Sequence, residues 1–139
     1  MFGNLFSKKQ IQQVPIPSPT RGRDAFDIHL DLTWKIEATY KKRNTDPNAI
    51  EKTVELCKQQ IALAPKAKSA WVKENQEIGA ALDILPMHKG YEQLCILYEK
   101  QGDFNSAIAL AEEAMREGWA GEWNKRIDRS RKKLITNKK

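Results

Sequence analysis

Cysteine and histidine are scarce in this sequence, which has two of each among 139 residues. Cys57 and Cys95 are isolated within helical patterns, so we expect no disulfide framework, and a reducing compartment fits the chain. His29 and His88 have no cysteines or carboxylates at the spacing that zinc ligands require. We therefore expect no metal site, and we interpret both cysteines as small buried apolar residues.

The sequence also lacks a long apolar run. No stretch approaches the roughly 20 apolar residues that a membrane-spanning helix needs. The first ten residues, MFGNLFSKKQ, have neither the apolar core nor the cleavage site of a secretory signal. A mean hydropathy of -0.66 and 30% charged residues are typical of a soluble globular protein. We expect the protein to be cytoplasmic.

Catalytic and nucleotide-binding patterns are missing as well. The glycines form neither a G-x-G-x-x-G nor a G-x-x-x-x-G-K pattern, so no phosphate-binding loop is indicated. Glu112, Glu113 and Glu117 lie close together, but a charge run on a helix is usually a solvated face, which is our interpretation here. Because the sequence displays no convergent set of polar groups, we predict no enzymatic activity, no cofactor and no small-molecule substrate.

Positive charge is in excess but unevenly placed. The net charge of +6 divides into +4 over 1–23, −4 over 24–120 and +6 over 121–139. The first segment contains three prolines and no acidic residue, and we interpret it as a flexible basic leader. We predict a single helical domain over 24–136, followed by a basic tail end at 137–139. An acidic middle argues against a uniformly basic nucleic-acid-binding face.

Residues 24–43 carry two periodic patterns at once. Apolar residues at every second position from Phe26 to Ile36 alternate with polar residues, as in a half-buried strand. Every fourth residue from Ile28 to Tyr40 is also apolar, as on one face of a helix. We favour the helix, because no other segment offers a convincing strand partner.

A second helix is predicted over 47–64. Asp46 or Thr45 is placed to cap this helix, and Pro47 suits its first turn. Pro65 is expected to end it, because a proline removes a helical hydrogen bond.

Residues 66–89 suggest one or two further helices with a break at Leu85 and Pro86. A last helix begins near Trp123, which we expect to pack on the preceding helix.

The most specific pattern lies at 90–119, where two helical patterns flank a glycine. Large residues fall at helical spacing before the glycine, and small residues recur three or four apart after it. The residues that carry this order are Tyr91, Leu94, Tyr98, Gly102, Ala107, Ala111 and Ala114. The order resembles the tetratricopeptide repeat, a helix-turn-helix unit.

The resemblance extends more weakly to 28–64, at an offset of 58 residues. The matching pairs are Ile36 with Leu94, Tyr40 with Tyr98 and Ala49 with Ala107. Asn44 stands in place of the turn glycine, and Thr53 stands in place of an alanine. Together the two segments predict an all-α fold: a short antiparallel array of helix hairpins, about two repeats long, with a C-terminal capping helix.

The resemblance implies a non-enzymatic protein-interaction module. In that family the first helix of each pair lines a concave surface, which implies that its exposed residues bind a peptide or a partner protein. The candidate contact residues are Lys35, Lys41, Lys42, Glu92, Gln93 and Lys100. Because two repeats form only a short groove, self-association into a homo-oligomer or pairing with another repeat protein is a further hypothesis.

The last predicted helix carries a basic run that supports an alternative function. Its cations are Lys125, Arg126, Arg129, Arg131, Lys132 and Lys133. Lysine and arginine neutralise phosphates, so the alternative is an adaptor that anchors to nucleic acid or to an anionic membrane surface. A solubilising end helix, whose cations favour its own C-terminal dipole, explains the same run.

Overall fold

The computed structural model describes residues 24–77 and 85–137, and within these ranges the chain forms five α-helices and no named strand. The contacts divide the chain into two compact units between residues 82 and 83. The helices are α1 (Ala25–Lys41) and α2 (Ala49–Glu77) in the first unit, and α3 (Lys89–Lys100), α4 (Phe104–Glu117) and α5 (Trp123–Asn137) in the second. The predicted all-α fold is confirmed.

The predicted terminal segments and the predicted single domain are not tested by the structure. The leader at 1–23 and all but the first residue of the tail end at 137–139 lie outside the described residues. The single domain over 24–136 stays a prediction, and we describe the two units separately.

The first helix begins with a capping box. The Asp24 carboxylate accepts hydrogen bonds from the backbone N–H groups of Phe26 (3.0 Å) and Asp27 (3.1 Å), and Asp27 accepts one in return from the Asp24 N–H (3.3 Å). Leu32 and Ile36 are buried at a spacing of four residues, which confirms the helix and excludes the strand. The strand-like alternation arose because the solvent face of α1 also carries apolar residues.

Asp46 stabilises the turn that leads into α2, which begins at Ala49, two residues after the predicted start at 47. Its carboxylate accepts a hydrogen bond from the Asn48 N–H (2.8 Å) and lies 3.5 Å from the Lys52 ammonium. The hydrogen bond from Asn48, followed by the charge of Lys52, lowers the pKa of Asp46 below its ordinary value. The turn between α1 and α2 therefore ends in a fixed conformation.

The predicted end of this helix at Pro65 is wrong, because α2 continues through the proline to Glu77. Proline lacks the N–H that would bond to the carbonyl of the preceding turn, so it weakens the helix at this point. Packing on both sides compensates: Ala64 and Ala67 are buried, and the Trp71 ring lies 5.1 Å from the Phe26 ring of α1.

Residues 66–77 are therefore the second half of α2 and not a separate insert. Residues 78–84 lie outside the described part of the chain, and Leu85 and Pro86, where the break was predicted, lie outside the helices.

A buried glutamine joins the two helices of the first unit. The Gln60 amide nitrogen donates to the backbone carbonyl of His29 (2.7 Å) and lies 2.8 Å from the Thr33 hydroxyl. Gln60 is fully buried, so these bonds form away from water, where a missing partner is costly. This polar contact between α1 and α2 was not predicted from the sequence.

The second unit confirms the helix-turn-helix pattern at 90–119. Gly102 has a φ of +81°, which glycine adopts without the strain that a side chain causes, and it lies in the turn between α3 and α4. Asp103 then caps α4 by accepting from the Ser106 N–H (3.2 Å). Gly118, with a φ of +93°, ends α4 in the left-handed conformation. The fully buried side chains on α4 are Ala107, Ala111 and Ala114.

The two hairpins share burial at the predicted offset of 58 residues. Ile36 and Leu94 are both buried, Tyr40 and Tyr98 are both half-buried, and Ala49 and Ala107 are both fully buried. Thr53 is fully buried where the second hairpin has Ala111, and its hydroxyl donates to the carbonyl of Ala49 (2.8 Å). The two hairpins therefore bury their side chains alike at these matching positions.

We expect Pro65→Ala to raise the free energy of unfolding by about 2 kcal/mol. Alanine restores the missing hydrogen bond, which is worth about 3 kcal/mol relative to proline, and part of the gain is lost because the unfolded chain becomes less restricted. Pro65 is exposed, so the substitution removes no buried contact.

Urea denaturation of the full chain measures this change. Pro47→Ala is the control, because Pro47 precedes the helix and gains no hydrogen bond. An unchanged midpoint for Pro65→Ala would contradict a continuous α2.

Candidate partner-binding surfaces

The outer face of α1 exposes an apolar stripe. Trp34 is 70% exposed and Leu30 is 43% exposed, and Ala38 continues the stripe at the same spacing of four residues. A tryptophan of this exposure is unusual, since large aromatic side chains normally contribute to a core or to an interface. We call the surface formed by Leu30, Trp34 and Ala38 the α1 outer face.

Charges of opposite sign lie at the two ends of α1. Asp24, Asp27 and Asp31 lie at or near its start, and Lys41, Lys42 and Arg43 lie at its end. This order also favours the helix dipole of α1. The Arg43 guanidinium lies 4.2 Å from the centre of the Tyr40 ring and donates to the Tyr40 carbonyl (3.0 Å), so it is held against the helix.

The six predicted contact residues are placed differently from one another. Lys41, Lys42 and Lys100 are exposed, and Lys35 is half-buried on α1. Glu92 is half-buried and lies 3.8 Å from the Lys89 ammonium.

Gln93 is wrong as a contact residue, because only 2% of it is exposed. It lies three residues after the buried Gly90 and four before the buried Leu97, so it belongs to an inward face of α3. Gln93 was predicted to be exposed because glutamine is polar, and its residue type alone did not indicate that it is buried.

A buried tyrosine hydroxyl lies between two carboxylates in the second unit. Tyr91 is 0% exposed, and its hydroxyl lies 3.1 Å from Glu113 Oε2 and 3.0 Å from Glu117 Oε2. The Trp119 indole N–H donates to the other Glu117 oxygen (2.9 Å). These bonds join α3, α4 and the residues that follow α4.

Aromatic rings surround this group on the side where α3 and α5 begin. The Tyr91 N–H donates to His88 Nδ1 (3.1 Å), so His88 caps α3. The His88 ring lies 4.6 Å from the Tyr91 ring and 4.8 Å from the Trp119 ring. Trp123 is buried, as predicted, and its indole N–H donates to the Trp119 carbonyl (2.9 Å).

The interpretation of the glutamate run as a solvated face is wrong for two of its three members. Glu113 and Glu117 point toward Tyr91 because they lie four residues apart on the face of α4 that packs on α3. Glu112 lies on another side of α4 and pairs with Arg131 at 3.2 Å. The only sequence signal was this spacing of four residues.

A cavity of about 500 Å³ lies where α3 and α5 begin. The segments before the two helices are joined by a hydrogen bond from the Ala120 N–H to the Pro86 carbonyl (3.1 Å), and Met87 forms an isolated bridge with Ala120. A Cβ at Gly121 would come within 2.7 Å of the Trp123 ring, so glycine is required there. The cavity is lined by Met87, His88, Glu92, Ala120, Gly121, Glu122, Trp123 and Arg126.

The formal charges in this cavity are already paired. Glu92 lies 3.8 Å from Lys89, Glu122 lies 3.7 Å from Lys125, and Arg126 lies 3.3 Å from Glu99. The lining residues therefore give the cavity no preference for a positively or a negatively charged ligand.

Most of the predicted basic patch on α5 is paired with carboxylates. The pairs are Lys125 with Glu122 (3.7 Å), Arg126 with Glu99 (3.3 Å), Arg129 with Glu99 (3.6 Å) and Arg131 with Glu112 (3.2 Å). Lys132 and Lys133 are exposed. These pairs lower the positive charge that α5 presents to a nucleic acid or a membrane surface.

Both cysteines are fully buried, which confirms their interpretation as apolar core residues. The Cys95 sulfur lies 3.6 Å from the carbonyl oxygen of Ala107 on the facing helix. Burial raises the pKa of Cys95 to about 12, because the charged thiolate is poorly solvated there. A nucleophilic role for Cys95 has no support in this geometry.

The described residues contain no helix both long and apolar enough to cross a bilayer, and no group of three or more His, Cys, Asp or Glu side chains that could hold a metal ion. A comparison of the chain with models of known protein families, with curated proteins and with solved structures finds no match. The resemblance to the tetratricopeptide repeat therefore stays a prediction.

We expect the stability of the second unit to fall as the pH rises above about 10 because of Tyr91. Burial, and then the negative charges of Glu117 and Glu113 together with their hydrogen bonds, raise the pKa of Tyr91 well above its usual value near 10. The unfolded chain therefore ionises at this tyrosine while the folded chain does not, and unfolding becomes more favourable. Below pH 10 this contribution is constant.

Urea denaturation between pH 9 and pH 11.5 measures the free energy of unfolding of wild type and of Tyr91→Phe. The variant loses about 1–3 kcal/mol at neutral pH, because the two carboxylates lose a buried donor, and its stability falls less steeply above pH 10. Tyr98→Phe, on the same helix, is the control: its free energy of unfolding falls with pH as steeply as that of wild type, because Tyr91 remains. An equally steep decline for Tyr91→Phe would show that another group is responsible.

Proposed function

We propose that this chain is a non-enzymatic, tetratricopeptide-like protein-interaction module that binds a partner protein through the α1 outer face. The observation that carries the proposal is the 70% exposure of Trp34 at the centre of that face. A tryptophan buries roughly 150–250 Å² when it is covered, and truncating one at the centre of an interface typically costs about 2 kcal/mol or more. Leu30 extends the apolar contact by one turn of the helix.

The repeated packing of the two hairpins supports the tetratricopeptide-like part of the proposal. The same positions are buried in each hairpin at an offset of 58 residues, as internal repeats require. In that family the first helix of each pair binds the partner, and α1 is the first helix of the first hairpin. Lys41 and Lys42, which were predicted as contact residues, are exposed at its end.

The charges of α1 define the partner that fits the α1 outer face. A helix that lies antiparallel to α1, with acidic residues at its start and basic residues at its end, places each charge opposite one of the other sign. Apolar residues at spacings of three or four would cover Trp34 and Leu30. The α1 helix of a second copy has this same order of charges, so a homodimer is one form that such binding takes.

Two buried cysteines that are not joined in a disulfide are consistent with a reducing compartment, and we propose that the protein acts in the cytoplasm. The alternative function, a basic-tail adaptor for nucleic acid or an anionic membrane, has less support because three carboxylates, Glu99, Glu112 and Glu122, balance three of its six positive charges.

The proposal is tested with Trp34→Ala in the full chain. We expect the variant to fold with wild-type stability, because Trp34 is mostly exposed, and to lose at least about tenfold in partner or self-association. Light scattering measures the mass in solution, and quantitative mass spectrometry measures the proteins that the immobilised chain retains.

Ile135→Ala is the matched control, since Ile135 is 67% exposed and lies on α5. It removes a comparable exposed apolar side chain and leaves association within about twofold of wild type. If Trp34→Ala and the double variant Leu30→Ala/Trp34→Ala retain the wild-type mass and the wild-type set of bound proteins, the α1 outer face is not the binding surface.

A further inference from the structure

A second, smaller cavity of about 210 Å³ lies between the end of α3, the start of α4 and the middle of α5. It is lined by Glu99, Lys100, Phe104, Arg129, Ser130 and Lys133. Its volume is below the roughly 300–1,000 Å³ of pockets that hold drug-sized ligands. The cavity therefore fits a small chemical group. It brings together Lys100, predicted as a contact residue, and two cations of the predicted basic patch.

The charges around this cavity leave an excess of positive charge. Glu99 is the only carboxylate among its lining residues, and it is shared by Arg126 (3.3 Å) and Arg129 (3.6 Å). Arg126 alone neutralises Glu99, so the charge of Arg129 is left over. Lys100 and Lys133 are exposed and have no carboxylate within 4 Å among the described residues. Three cations are thus available to an anion.

Ser130 provides an independent indication of a ligand. It is 1% exposed, and its hydroxyl oxygen has no hydrogen-bond partner. Leaving a buried hydroxyl without a partner costs about 1–3 kcal/mol, so such a group is rare unless a ligand or a water completes it. A hydroxyl can donate a hydrogen bond to an oxyanion. If α5 were only a solubilising end helix, it would have no need of a buried hydroxyl.

We propose that this cavity binds a phosphate group, as inorganic phosphate or as a phosphate monoester. A phosphate monoester carries about two negative charges at neutral pH and several strong acceptor oxygens. Arg129, Lys100 and Lys133 balance that charge, and the Ser130 hydroxyl donates to one of the oxygens. This site lies in the second unit and does not depend on the α1 outer face.

The site is tested by adding small anions to the full-length chain and recording the shifts of its backbone amide signals by nitrogen–proton NMR. The probes are sodium phosphate, free phosphoserine, sodium sulfate and sodium chloride, all at the same ionic strength. We expect saturable shifts at Ser130 and Lys100 with phosphate, with a dissociation constant of about 1 mM or below, and none with chloride. Phosphoserine binding more tightly than phosphate would assign the site to a monoester, and the reverse order would assign it to the free ion.

Two neighbouring lysines on α5 provide a test and its control, because Lys133 lines the cavity and Lys132 does not. Lys133→Gln is expected to weaken phosphate binding about tenfold, whereas Lys132→Gln, with the same change of charge one residue away, is expected to stay within twofold. Equal losses in the two variants would mean that phosphate responds only to the overall charge of α5, and the proposal would be wrong.

Ser130→Ala separates a ligand role from a structural one. Without phosphate this variant unfolds at the same or a higher temperature than wild type, because it removes an unpartnered buried hydroxyl. With phosphate its affinity falls about tenfold. Wild-type affinity in Ser130→Ala, or the absence of saturable binding to any of the phosphate probes, would overturn the proposal.

Discussion

Each helix hairpin depends on the close approach of its two helices, and small side chains permit that approach. Ala49 and Ala107 occupy matching positions and are fully buried. In the second hairpin the Cys95 sulfur reaches to 3.6 Å from the backbone carbonyl of Ala107, so a larger side chain at either of these two positions would push the helices apart. The polar contacts of each unit form only at this separation. They include the hydrogen bonds of Gln60 in the first unit and of Tyr91 in the second.

The features that could be predicted from the sequence are those determined by neighbouring residues. The turn at Gly102, the turn at Asp46 and the buried alanines of α4 follow from spacing and from backbone preference, which act over a few residues. The helical state of α1 also followed, because a spacing of four distinguishes a helix even when both of its faces carry apolar residues.

The errors concern residues whose state is decided by a distant part of the chain. Pro65 remains within a helix because Gln60 before it and Trp71 after it contact α1, and Gln93 is buried by contacts that its own type does not suggest. Glu113 and Glu117 read as a charged surface until Tyr91, more than 20 residues away, is placed between them. The partial neutralisation of α5 depends on carboxylates from other elements in the same way.

The hydrogen bonds of Gln60 fix the position of α1 along the axis of α2. Sliding α1 by one turn would carry the His29 carbonyl and the Thr33 hydroxyl out of reach together. Trp34 directly follows Thr33, so the same hydrogen bonds hold the exposed indole at a fixed position along the hairpin. The register of the first hairpin is thus set by one polar side chain in its interior.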